Sequence, residues 1–219
     1  EILSVRVTDE FGSSNSFTLA EGILQAAEAG AQVINISMGS PGNSSVVNDA
    51  VKYAQSMGAV IVASSGNDGA TSLAYPAAYD GVISVGAVEA SGEHVTFSNS
   101  DKNLTITAPG YQVNAAWGED LLTSFSGTSA SAPFVSGAIA AMMSNNPGYS
   151  ARQAIDQILR YSNEAGTIGS DNYYGYGTLD IGRALESNTP GIYDIAITSH
   201  ILTTNQSGDS ELTVVFQNQ

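Results

Sequence analysis

Apolar positions along the chain follow two different periods. Residues 18–29 carry Leu19, Ile23, Leu24 and Ala27 at helical spacing, and Gly30 ends the run. Residues 46–57 repeat the pattern, closed by Gly58. Between the helices lie short, nearly continuous apolar runs at 2–7, 32–38, 59–64, 82–88 and 104–108, which predict strands. Solid apolar strands alternating with helices predict a parallel sheet covered on both faces. Residues 130–143 are apolar on every side, which predicts a buried helix. Residues 151–161 are amphipathic, with Ser150 as N-cap, and 180–185 form a last short helix. The composition then changes. Residues 188–192 read as a linker, and 193–201 and 211–216 alternate like antiparallel strands. The expected organisation is an α/β domain over 1–187, then the first strands of a truncated β-sandwich-like accessory domain over 193–219.

The bulk properties narrow the function classes. Hydrophobic residues make up 42% of the 219 and charged residues 12%, which excludes a disordered chain. The net charge is −15, with only 6 Lys and Arg, so nothing is available to neutralise a row of phosphates. Neither a nucleic acid nor a membrane surface is expected as a partner. There is no cysteine, hence no disulfide, thiol nucleophile or thiolate-bound metal. No apolar stretch is long enough to span a bilayer.

The chemistry gathers at Gly127-Thr128-Ser129-Ala130-Ser131-Ala132-Pro133, which opens the apolar helix. A serine there has free backbone N–H groups and the positive end of a helix dipole beside it, both suited to a developing oxyanion. Gly127 lets a carbonyl come close, and Pro133 is expected in the first turn, where its missing N–H costs little. A plain serine N-cap would look the same. Ser65-Gly66-Asn67-Asp68-Gly69 tips the balance. It follows a buried strand, so Asn67 emerges at the carboxyl end of the sheet, where ligands of open α/β folds bind. Its amide can donate to an oxyanion, although Asn-Asp-Gly would also make an ordinary turn.

Taken in order, Ser65 to Gly69, Tyr75-Pro76-Ala77, 82–87, Phe97-Ser98, Ala108-Pro109-Gly110, Gly127-Thr128-Ser129 and Gly175-Tyr176-Gly177 resemble the subtilisin-like serine peptidases over roughly residues 1–187. The resemblance implies a three-layer α/β fold with a mostly parallel sheet, incomplete at its amino-terminal side. It implies Ser129 as nucleophile, with Asn67 and the Ser129 N–H as the oxyanion hole. Ser37, Met38 and Gly39 would pair with extended substrate and form one wall of the specificity pocket. Ala63 to Gly66 would form the other wall, with Ser64, Ser65 and Gly66 in the substrate-binding set, Phe125 would lie on the leaving-group side, and Thr128 joins that set. With Ala74, Ser64 and Ser65 would line a neutral pocket suited to uncharged side chains.

The family's triad runs Asp, His, Ser along the chain. Neither the Asp nor the His segment is found here. His94 and His200 are the two histidines, and both read as solvated surface residues, His94 on an exposed turn. The expectation is therefore a serine endopeptidase by family whose isolated chain is inactive. The base would come from an N-terminal segment carrying His and Asp, or from another copy of the chain. The alternative is a non-catalytic, peptide-binding relative. A polypeptide substrate, no cofactor within these residues, calcium left open for a longer protein, and an extracellular location complete the expectation. Ala130 stands where the family often has an oxidisable Met, and Phe134 where it usually has His.

Overall fold

The computed structural model describes residues 1–117, 121–186, 195–204 and 210–218. The elements run α1 (Ser16–Glu28), β1 (Val33–Ile36), α2 (Ser45–Ser56), β2 (Val60–Ser64), β3 (Ile83–Val88), β4 (Ile106–Pro109), β5 (Val113–Trp117), β6 (Leu121–Phe125), α3 (Thr128–Asn145), α4 (Ala151–Arg160), α5 (Ile181–Glu186), β7 (Ile195–Thr204) and β8 (Ser210–Asn218).

Strands β1 to β4 lie side by side in that order, all parallel. Ile34 stands opposite Ile61, Val62 opposite Ile83, and Val85 opposite Ile106. Every residue of β2 and β3 is buried, which is why both runs are solidly apolar: each face has its own helix layer to meet. Ile23 of α1 and Val51 of α2 pack with Ile61 on one face. Ile139 of α3 and Ile155 of α4 pack with Val62 on the other. Burying side chains of this size contributes about 1.5–3 kcal/mol each. The result is the three-layer α/β fold expected from the sequence.

Local signals explain the helix ends. Asn15 caps α1 by accepting from Phe17 N at 3.0 Å and Thr18 N at 3.1 Å, so the helix starts before the predicted residue 18. Ser150 and Gln153 form a reciprocal capping box on α4.

Residues 2–7 depart from prediction. They form no strand and pair with none among the described residues, and Ile2 is 95% exposed. Val5 and Val7 nevertheless rest on α1, where Gly22 leaves room: a Cβ there would lie 2.2 Å from Val7 Cγ1. Helix α3 also differs. It begins at Thr128, and its apolar surface is only half covered. Val135, Ile139 and Met142 are buried, whereas Phe134, Gly137 and Ala140 are exposed.

The antiparallel hairpin β5–β6, with Val113 opposite Phe125, was not predicted. Its two short runs alternate too weakly to stand out. Strands β7 and β8 pair antiparallel, as their alternation suggested, with a register shift between Ile197 and Ser199. The expected linker at 188–192 lies outside the described residues.

Candidate active site

Ser129 is the second residue of α3, and Asn67 follows the carboxyl end of β2. The helix cannot cap itself, because its N-cap residue is Gly127. Asn67 caps it from 61 positions away: its Oδ1 accepts from Thr128 N at 2.8 Å and from Thr128 Oγ1 at 2.9 Å. With its oxygen held twice, the Asn67 amide turns its Nδ2 away from that bond. Nδ2 lies 3.3 Å from where a Gly127 Cβ would be, so the glycine is what makes space for it. The Ser129 N–H has no partner among the described residues. Two unengaged donors, the Ser129 N–H and the Asn67 Nδ2, are thus held around one helix start.

Thr128 was expected to touch substrate. Its side chain is fully buried and instead links Asn67 to the Gly66 N–H, which Thr128 Oγ1 accepts at 3.3 Å.

Pro133 is the sixth helical residue, beyond the first turn in which it was expected. Its missing N–H leaves the Ser129 carbonyl without its usual i+4 partner. Ser37 supplies the replacement, with its Oγ donating to Ser129 O at 3.0 Å. In return, Ser129 Oγ donates to Ser37 O at 3.1 Å. Ser37 is itself steadied by Asn35, whose Nδ2 donates to Ser37 Oγ at 3.0 Å. Asn35 Oδ1 accepts from Ser136 Oγ at 3.0 Å.

The two predicted walls also come together. Ala74 N donates to Ser65 O at 2.8 Å, and Ser40 and Tyr75 exchange backbone hydrogen bonds at 3.0 and 2.8 Å. A Cβ on Gly39 would meet Ala74 Cβ at 3.0 Å, and one on Gly66 would meet it at 3.2 Å. Ser37 and Met38 are half-buried and Gly39 is exposed beside them. Ser64 and Ser65 are buried, so what their wall offers is backbone. Phe125 is exposed next to Gly127, with Cε1 3.5 Å from the glycine's would-be Cβ.

Asn99 escaped the sequence reading. It is buried, its Oδ1 accepts from Asp68 N and Ala70 N at 3.0 Å each, and its own N–H donates to Gly66 O at 3.0 Å. It therefore clamps the loop on both sides of Asn67. Asn35 and Ser136 were missed as well. All three act across long stretches of sequence, and nothing local marks them.

His94 is not the solvated surface residue expected. It is half-buried, edge-on to Tyr173 and Tyr174 at centroid distances of 5.3 and 6.0 Å, and its Nε2 is buried without a partner. Burial pushes its pKa below the usual histidine value, partly offset by the Asp171 carboxylate. His200 lies on β7. Among the described residues no group of three His, Asp or Glu is placed to hold a metal ion, and no helix is long and apolar enough to cross a membrane.

A parallel sheet between helix layers, with a serine in the first turn of a helix at its carboxyl end, defines a three-layer α/β protein with a candidate nucleophile at a helix start. The chain belongs to the subtilase family, which it matches over residues 1–177. It is 36% identical to subtilisin Savinase of Lederbergia lenta over 180 residues, covering 82% of this chain and 66% of that protein. It is 35% identical to subtilisin DY of Bacillus licheniformis over 189 residues, covering 84% and 68%. An alkaline protease of Shouchella clausii is 36% identical over 82% of this chain but only 47% of its own length. The chain thus spans from about half to two thirds of these relatives. Among solved structures, the prenylagaramide maturation protease PagA superposes with a TM-score of 0.73 at 28% identity, over 81% of this chain and 69% of that one.

Proposed function

We propose that the protein is a serine endopeptidase that cleaves polypeptides through an acyl-enzyme on Ser129. In this reading Ser129 Oγ attacks the scissile carbonyl carbon and its proton passes to a histidine. The Ser129 N–H and Asn67 Nδ2 hold the resulting oxyanion. The histidine then protonates the leaving amine, and water releases the acyl group. Substrate lies extended along Ser37 to Gly39, with its side chain between that segment and Ser64 to Gly66, and Phe125 borders the departing half. An extracellular location goes with this reading, as does an accessory β domain over 193–219.

The observation that supports it most is the pair of hydrogen bonds from Thr128 to Asn67 Oδ1, which leaves the Asn67 donor and the Ser129 N–H unengaged at the same helix start. Among the described residues no histidine is hydrogen-bonded to Ser129, so in this reading other polypeptide supplies the base and the chain alone turns over nothing. A fluorophosphonate probe tests this: it labels Ser129 when the base is supplied, and Ser129→Ala abolishes the adduct. Turnover of a peptide substrate by the chain alone, lost in Ser129→Ala, would refute the assignment of the base.

One observation favours a second reading, a peptide-binding relative without catalysis. Ser129 Oγ is engaged with Ser37 O. A peptide bound equally well by wild type and Ser129→Ala, with no labelling even when the base is supplied, would select it.

A further inference from the structure

Aspartate is followed by glycine at two places in the chain, Asp68-Gly69 and Asp80-Gly81. That pairing has a chemistry of its own. The glycine amide nitrogen can attack Cγ of the aspartate, because no Cβ shields it. A C–N bond forms, the carboxyl hydroxyl and the amide proton leave together as water, and a five-membered succinimide results. Water then adds back at either ring carbonyl. Opening at one restores aspartate. Opening at the other leaves isoaspartate, with the main chain routed through Cγ and the α-carboxylate free. No atom is gained or lost overall, and neither oxidant nor cofactor is needed.

The attack needs an unengaged N–H and a backbone free to turn. Both sites are exposed, so solvent access does not separate them. Hydrogen bonding does. Gly69 N–H donates to Phe97 O at 2.7 Å, and the N–H groups of Asp68 and Ala70 both donate to Asn99 Oδ1 at 3.0 Å. Amides on three successive residues are thus held. Backbone also crowds the glycine, since a Cβ there would lie 2.9 Å from Thr96 O. Cyclisation at Asp68 first requires local opening of the loop that carries Asn67.

The second site lacks these restraints. Val82 N–H donates to Tyr79 O at 3.2 Å, which closes a turn with Asp80 and Gly81 at its centre. Gly81 has a φ of +74°, the conformation glycine supplies at the third position of a type II turn. Its N–H has no partner among the described residues, and no printed hydrogen bond or ion pair of those residues engages the Asp80 carboxylate. The turn is tethered at its margins. Tyr79 Oη accepts from Ser44 N at 2.9 Å and donates to Ser44 O at 2.7 Å, and Gln55 Nε2 donates to Asp80 O at 3.0 Å. The bond from Gln55 can survive cyclisation, because the Asp80 carbonyl becomes one of the two carbonyls of the ring. Asp80 and Gly81 border a hollow of about 290 Å³, which gives the ring room. A Cβ on Gly81 would meet the flexible amide end of Gln55 at 2.8 Å rather than backbone.

We propose that Asp80 is a site of spontaneous isoaspartate formation in the folded protein, and that the clamp of Asn99 and Phe97 keeps Asp68, beside Asn67, from the same reaction. The product adds one carbon to the main chain ahead of β3. Its free α-carboxylate is the group on which an L-isoaspartyl carboxyl methyltransferase acts. The assignment does not depend on Ser129 or on its reading as a nucleophile.

Ageing the 219-residue chain for weeks in heavy-oxygen water at mildly acidic pH tests it, with peptide mapping that separates the isomers. In the folded chain, heavy oxygen and isoaspartate accumulate at 80 at least about tenfold faster than at 68, whose amide must first be released. In urea the two sites react at comparable rates, because the reacting pair is the same. An isoaspartate-specific methyltransferase labels the aged wild type. It labels Asp80→Glu far less, since the longer side chain cannot close the five-membered ring. Isoaspartate at 68 as fast as at 80 in the folded chain overturns the proposal, and so does its absence at 80. A ratio between the two sites that urea leaves unchanged overturns it too, because the fold would then have no part in the choice.

Discussion

Ser37 and Ser129 exchange hydrogen bonds across 92 residues, each hydroxyl donating to the other's carbonyl, at 3.0 and 3.1 Å. The exchange follows from a proline. Pro133 cannot donate to Ser129 O, and Ser37 takes the vacant acceptor. The segment read as a substrate-pairing strand is therefore tied to the first turn of α3 by the same atoms that position the serine.

Replacing Ser37 by Ala leaves the Ser129 carbonyl without a donor, at a cost of about 1–3 kcal/mol. In a Pro133→Ala background the backbone N–H is restored, and Ser37→Ala costs less than half as much. A double-mutant cycle by urea unfolding measures the coupling. Equal costs in both backgrounds would show that Pro133 does not create the vacancy.

Asn67 has two separable roles, one per side-chain atom. Asn67→Asp keeps the oxygen that caps α3, whereas Asn67→Ala removes both atoms. Loss of the cap costs about 1 kcal/mol, so Asn67→Ala melts lower than Asn67→Asp. Both substitutions remove the donor. Both slow Ser129 acylation in base-competent protein by about 10²–10³, the range known for this family's oxyanion amide. Undiminished acylation in both variants would mean that Nδ2 is not the donor.

Gly127→Ala places a methyl 3.3 Å from Asn67 Nδ2 and 3.5 Å from Phe125 Cε1, at a backbone φ of +155°. Acylation by base-competent protein falls by at least tenfold while substrate KM changes less, because the displaced group is the donor that the proposed reading assigns to the oxyanion. A kinetic comparison with wild type reads the split.

Stability falls as pH drops below neutrality, through His94. Its folded pKa is depressed, so the folded state holds the imidazole neutral while the unfolded chain protonates it near pH 6.5. The unfolded state therefore binds more protons below that point. Stability is full above pH 6.5 and declines as pH falls toward the folded pKa. His94→Phe keeps the edge-on contacts with Tyr173 and Tyr174 and removes a buried nitrogen without a partner. It flattens the melting temperature between pH 5 and 7. An unchanged slope would assign the pH dependence elsewhere.

The strands of the parallel sheet, the helices and the positions of Ser129 and Asn67 were legible because they depend on local pattern. Burial on both faces makes β2 and β3 solidly apolar, and a nucleophile at a helix start needs glycine before it. Residues 2–7 misled for a physical reason: their pattern is that of a strand, but a strand needs a neighbour's backbone, and none of the described strands lies beside them. The exposed face of α3 has the same origin, since Gly137 and Ala140 line the open space between residues 2–7 and β1. His94 misled because its burial comes from Tyr173 and Tyr174, the latter 80 positions away. Asn99, which clamps the Asn67 loop, is invisible for the same reason.

The central claim is that Ser129 is a nucleophile served by Asn67 and by a base that other polypeptide brings. Fluorophosphonate labelling followed by peptide mass mapping tests it most directly, on the chain alone and on the chain joined to a subtilisin segment bearing the histidine and the aspartate. The account predicts no adduct above the Ser129→Ala background in the first case. In the second it predicts a single adduct on Ser129, slowed by Asn67→Ala. Equal labelling of Ser129 in both, or labelling indifferent to Asn67, would contradict it.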